Sequence, residues 1–66
     1  MTGVVASFDE QAGLGIITAD DGTAFAFHCT AIADGTRTIE VDTAVDFDTR
    51  PARNGTYEAA GVTPRR

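Results

Sequence analysis

Leu14-Gly15-Ile16-Ile17-Thr18-Ala19, then Asp20-Asp21-Gly22, then Thr23-Ala24-Phe25-Ala26-Phe27-His28-Cys29 reads as a strand, a tight turn and a second strand. The first segment is rich in β-branched residues, which suit a pleated and half-buried surface. The Asp-Gly pair tolerates the positive φ of a hairpin turn. In the second segment Phe25 and Phe27 stand two residues apart and so share one face, which makes them core candidates. His28 belongs to the opposite face with Ala24 and Ala26.

Outward from this hairpin the same grammar repeats. Val4 to Phe8 predicts an earlier strand, followed by a polar turn over Asp9 to Gly13. After the hairpin, Thr30-Ala31-Ile32 is compatible with one short turn of helix, and Gly35 marks a loop. Thr43 to Thr49 predicts a fourth strand, with Val41, Val45 and Phe47 on one face and Asp42, Asp46 and Asp48 on the other, and Pro51 ends it. Asn54-Gly55 is a second hairpin signal, and Thr56 to Thr63 the last strand. Short strands at this spacing predict an all-β fold in the form of a small closed barrel. Closure also removes the exposed edges that invite aggregation.

Length and composition bound the rest. A chain of 66 residues makes one domain, residues 1–66, with a thin core. No apolar stretch approaches the ~18 residues of a membrane span, and Met1-Thr2-Gly3-Val4 lacks the basic start and long apolar run of a signal peptide. The expected compartment is the cytoplasm, with no membrane partner. The net charge is −5 and lysine is absent, the cations being Arg37, Arg50, Arg53, Arg65 and Arg66. Nucleic-acid affinity rests largely on clustered cations against phosphate, so composition argues against a strong binder.

Residues with chemical potential are few. Cys29 is the sole cysteine and has no metal-ligand spacing around it, so it reads as a small half-buried side chain, with a redox-sensitive or dimer-linking thiol as the alternative. His28 and Cys29 are neighbours on a strand and point to opposite faces, which disfavours a catalytic dyad. The aspartates of the fourth strand fit a solvated face, and Asp20 and Asp21 fit turn chemistry. Gly13 and Gly15 lack the helix and lysine of a phosphate-binding loop and fit a bulge or close packing. No cofactor or metal is expected, and no enzymatic activity.

Several of these segments also resemble a known family. Gly13-Leu14-Gly15-Ile16-Ile17-Thr18 is similar to the first RNA-binding signature of cold-shock proteins, usually Lys-Gly-Phe-Gly-Phe-Ile. Phe25-Ala26-Phe27-His28-Cys29 resembles the second, usually Val-Phe-Val-His-Phe. Thr2-Gly3-Val4-Val5 and Phe8 match the opening, Thr30-Ala31-Ile32 the Ser-Ala-Ile after the second signature, and Ala59-Ala60-Gly61-Val62-Thr63-Pro64 the closing Ala-Ala-Asn-Val-Thr-Pro. The resemblance covers the whole chain in order. It implies a five-stranded antiparallel Greek-key barrel of the OB type that binds single-stranded RNA or DNA through aromatics on strands two and three and through lysines along the phosphates.

Carried over position by position, the resemblance places Ala6 and Ser7 where the family has lysine and tryptophan, and Ala12 at a further lysine. Leu14, Ile16, Ala26 and Cys29 stand at signature phenylalanines, and Thr36 lies near the aromatic of the long loop. His28 is retained with Phe8 beside it, and Arg37 lies where a lysine is common. The implied binding residues are therefore Phe8, Leu14, Ile16, Ala26, His28 and Arg37. Base–aromatic stacking contributes ~1–3 kcal/mol per base. Losing several platforms removes roughly 4 kcal/mol, about a thousandfold in affinity.

Two functions follow as expectations. The first is weak, sequence-tolerant binding of single-stranded RNA or DNA on the face of strands one to three, with His28 either contacting a base or remaining a surface histidine. The second is a protein-interaction or homodimer surface built from Leu14, Ile16 and Ala26.

Overall fold

The computed structural model describes residues 1–33, 38–52 and 55–65. Five strands follow in order: β1 (Thr2–Asp9), β2 (Leu14–Ala19), β3 (Ala24–His28), β4 (Ala44–Pro51) and β5 (Tyr57–Pro64). A single 3-10 turn, η1 (Cys29–Ala31), follows β3 where a turn of helix is expected. The Gly35 loop and Asn54 of the expected Asn54-Gly55 turn lie outside the described residues. Gly55 itself has φ 81°, as the turn signal requires.

The strands close into a barrel in the order β1-β2-β3-β5-β4, with β4 returning to β1. This is the five-stranded OB-type barrel expected from the sequence. The β3–β5 pairing, through Ala26 and Glu58, is parallel, so the sheet is mixed rather than wholly antiparallel. Beyond it the bridge Ile32–Val62 continues in the same sense.

The core follows strand parity. Val5, Ile17, Ala19, Phe27, Ile32, Val45, Phe47, Ala59 and Val62 are buried together. Phe25 is half-buried, packed against this cluster with its ring tilted on Phe47 at 5.7 Å. Val41 departs from the expected alternation. It precedes β4, is 49% exposed, and is followed by Asp42 at φ 72°. That left-handed residue breaks the period-two pattern before the strand begins. β4 ends at Pro51, as expected, with Pro51 as its last residue opposite Tyr57.

Irregular positions adjust the register twice. On β1, Val5 faces Ile17 and Ser7 faces Ile16, which leaves Ala6 as the extra residue of a bulge. Between β4 and β5, Asp46 pairs with Thr63 and Asp48 with Ala60, so β5 carries the extra residue at a point where Gly61 takes φ 59°. Gly15 serves close packing: a Cβ there would lie 2.5 Å from the Phe27 ring and 2.8 Å from the Ser7 carbonyl oxygen.

Candidate nucleic-acid interface

The pairing of β2 with β3 sets the candidate surface. Leu14 faces His28, Ile16 faces Ala26 and Thr18 faces Ala24, all on the outer side. The alternate row, Gly15, Ile17 and Ala19, turns inward. The β1 bulge then decides which side chains extend this face. After the extra residue, Ser7 stands beside Ile16 and Asp9 beside Leu14. The outer face of β1–β3 thus carries Ser7, Asp9, Leu14, Ile16, Ala26 and His28.

Phe8 belongs to the other row. It sits opposite Gly15, and its ring stacks on Phe27 across that glycine with centroids 5.8 Å apart and planes 13° from parallel. Without a side chain at Gly15 the two rings can meet. Phe8 is only half-buried, and it reaches the surface as one wall of a shallow groove of about 320 Å³. The remaining lining comes from Ser7, Asp9, Leu14, Gly15, Ile16 and Ala26. Four of the expected site residues, Phe8, Leu14, Ile16 and Ala26, therefore meet in one groove. His28 continues the outer row next to Leu14, and Arg37 lies outside the described residues.

The groove is apolar and open. Leu14 is 51% exposed and Ile16 is 36% exposed, which is high for side chains of their size on a sheet. A planar base laid on them would gain dispersion and desolvation but no ring-on-ring contact. His28 is oriented by its own chain. Its Nδ1 accepts from the Thr30 backbone N–H at 3.3 Å, with Thr30 Oγ1 at 3.1 Å. In the neutral ring this places the proton on Nε2, which makes no bond among the described residues and is free to donate to a ligand carbonyl. Cys29 Sγ lies 3.8 Å from the same Nδ1 and beside Gly13, which takes φ 68°. Thr30 is the group that orients the ring beside the thiol, and among the described residues no cluster of His, Cys, Asp or Glu is positioned to hold a metal ion.

The two described arginines lie away from this face. Arg50 pairs with Glu58 at 2.7 Å and Arg65 with Asp46 at 3.7 Å, both on the β4–β5 side. Among the described residues no arginine stands on the outer face of β1–β3. Asp9 is the charged residue lining the groove, and its Oδ1 accepts from the Gln11 and Ala12 backbone N–H groups at 3.0 and 3.2 Å. Those bonds build the turn that brings β1 back as β2. The carboxylate is therefore a structural part of the groove's end.

Ser7 and Asp9 join the groove's lining against strict alternation along β1, because the bulge at Ala6 shifts every later side chain. Parity counted backwards from β2 through the turn places both outward. Gly15 belongs to the inner row of β2 and lines the groove as the position without a side chain between Leu14 and Ile16.

The sequence matches the family model described as the 'Cold-shock' DNA-binding domain over residues 1–65. No curated protein matches the chain.

Proposed function

The chain belongs to the 'Cold-shock' DNA-binding domain family, and on that premise we propose that it binds single-stranded RNA or DNA weakly and with little sequence preference, on the outer face of β1–β3. The family fold is a nucleic-acid-binding module and not an enzyme. The observation that supports this face is the groove joining Phe8, Leu14, Ile16 and Ala26 in one apolar strip, with His28 at its end. A base can lie on Leu14 and Ile16 while the His28 Nε2–H donates to a carbonyl oxygen. Arg37 is the remaining candidate for a phosphate. With few cations to displace counterions, affinity falls only slowly with salt.

Titration of a labelled single-stranded oligonucleotide at low salt tests the reading. The expected dissociation constant is about 0.1–1 mM, the weak end of non-specific binding. Ile16→Asp puts a second carboxylate in the groove and should abolish the interaction. Absence of saturable binding at near-millimolar protein overturns the proposal.

The exposure of Leu14 and Ile16 beside Asp9 favours a second reading, a protein contact or self-association on the same face. Sedimentation of the wild type and of Ile16→Asp separates them. A dimer lost on that substitution supports self-association, and a strict monomer for both removes it. The proposed compartment is the cytoplasm, where single-stranded RNA is abundant.

A further inference from the structure

A second groove also has Phe8 in its wall. It runs between the end of β1 and the segment Thr38–Thr43, with a volume of about 600 Å³. Its apolar lining is Phe8, Ile39, Val41 and Pro64, and its charged groups are Glu10 and Glu40. Among the described residues neither glutamate has an ion-pair partner. The wall is anchored to the barrel: Asp42 N–H donates to the Val5 carbonyl at 2.8 Å, and Val5 N–H donates to the Thr43 carbonyl at 3.0 Å. Val41, though 49% exposed, is therefore carried on a segment fixed by the sheet, next to the left-handed Asp42.

We propose that this groove docks a basic, apolar-anchored segment of a protein partner, with arginine or lysine side chains on Glu10 and Glu40 and apolar side chains against Ile39, Val41 and Pro64. Charge complementarity selects the occupant. A phosphate backbone would meet two carboxylates here, so the groove disfavours the ligand proposed for the β1–β3 face. A second copy would bring another chain of net charge −5 onto an acidic surface. A simple polyamine would leave the apolar wall uncovered. Only a segment carrying both cationic and apolar side chains satisfies both parts of the lining. The proposal does not depend on nucleic-acid binding and is tested without nucleic acid.

The test is an NMR titration of the isotopically labelled full chain with three synthetic peptides: an Arg-Leu repeat, an Arg-Gly repeat and a Glu-Leu repeat of equal length. The Arg-Leu peptide should bind saturably, perturbing Phe8, Glu10, Ile39, Glu40 and Val41. The Glu-Leu peptide should not bind, and the Arg-Gly peptide should bind more weakly. Glu10→Gln with Glu40→Gln should weaken the Arg-Leu peptide about tenfold at low salt, the combined effect of two exposed ion pairs. Val41→Ser should weaken it while leaving the Arg-Gly peptide unchanged. These positions are exposed, and a circular-dichroism melt confirms that each variant is folded. No saturation with the Arg-Leu peptide overturns the proposal. So does equal affinity in the Gln variant, perturbation centred on Leu14 and Ile16 instead, or a concentration-dependent dimer whose interface covers Val41.

Discussion

Returning aromatic rings to the β2 signature should raise nucleic-acid affinity without cost to the fold. The perturbation is Leu14→Phe with Ile16→Phe. Both side chains point outward from β2, at 51% and 36% exposure, so neither change enters the core. Exposed substitutions of this kind usually shift stability by no more than about 0.5 kcal/mol. The neighbours leave the new rings accessible: Ile16 stands between Ser7 and Ala26, both small, and Leu14 stands between Asp9 and His28. Each ring offers a base a π surface that leucine and isoleucine lack. Taking the lower end of ~1–3 kcal/mol per stacked base, two rings contribute about 2 kcal/mol, or roughly 30-fold in the dissociation constant. Fluorescence anisotropy of a short single-stranded oligonucleotide, with wild type and variant side by side at low salt, reads the ratio. A urea melt of each protein checks that the barrel is unchanged. A gain below about threefold, under ~0.7 kcal/mol, in a variant of unaltered stability would mean that this face does not contact bases, and the assignment of the interface would fail.

Three further outcomes follow from the geometry. Gly15→Ala forces a Cβ to within 2.5 Å of the Phe27 ring and 2.8 Å of the Ser7 carbonyl oxygen. Overpacking of this kind costs about 1–3 kcal/mol, so urea denaturation should show a clear drop in midpoint. An unchanged midpoint would contradict the Phe8–Gly15–Phe27 stack. Ala12→Lys adds a cation beside the turn that ends β1. It should steepen the dependence of log affinity on log salt by about 0.7, the value of one single-strand phosphate contact. An unchanged slope would remove this turn from the phosphate path. Asp21 accepts from the Thr23 backbone N–H at 2.9 Å, and that bond holds its carboxyl below the ordinary value of 3.8. A folded-state value below the unfolded one contributes stability that is complete above the ordinary value and is lost as pH falls through the folded one. The contribution of Asp21 should therefore disappear only below about pH 4. A carboxyl titration by NMR with a midpoint at or above 3.8 would contradict the turn geometry.

Much of the fold was legible in the sequence because local and long-range signals agree there. The bounds of β2 are legible residue for residue, since β-branched content and the Asp-Gly turn end it at the same point. β3 and the helical turn after it followed from the paired phenylalanines and their flanks. Two features were not legible. Val41 has the right spacing to join Val45 and Phe47, yet the positive φ of Asp42 breaks the chain's period before β4. Nothing in the residue type forces an aspartate into that region. The parallel closure of β3 on β5 is a second such feature, because the contact spans the chain and no local pattern encodes it.

The candidate site was partly legible for the same reason. Leu14, Ile16, Ala26 and His28 share a face by parity alone, and the structure brings them together. Phe8 was named for its place in the family pattern, whereas the structure shows why it matters physically: Gly15 lets it lean on Phe27 and form the groove's wall. The outward placement of Ser7 and Asp9 cannot be read from β1 alone, because one inserted residue at Ala6 reverses the parity of everything after it. A bulge is a property of two paired strands, so it is hard to see in one of them.

The most direct test of the central claim is a map of the bound surface. An amide NMR titration of the isotopically labelled chain with an unlabelled single-stranded oligonucleotide at low salt reports every residue at once. The account predicts saturable shifts concentrated on Ser7, Phe8, Leu14, Ile16, Ala26 and His28, with β4 and the Arg50–Glu58 pair silent. Shifts that never saturate, or that gather on β4 and β5 instead, would contradict it.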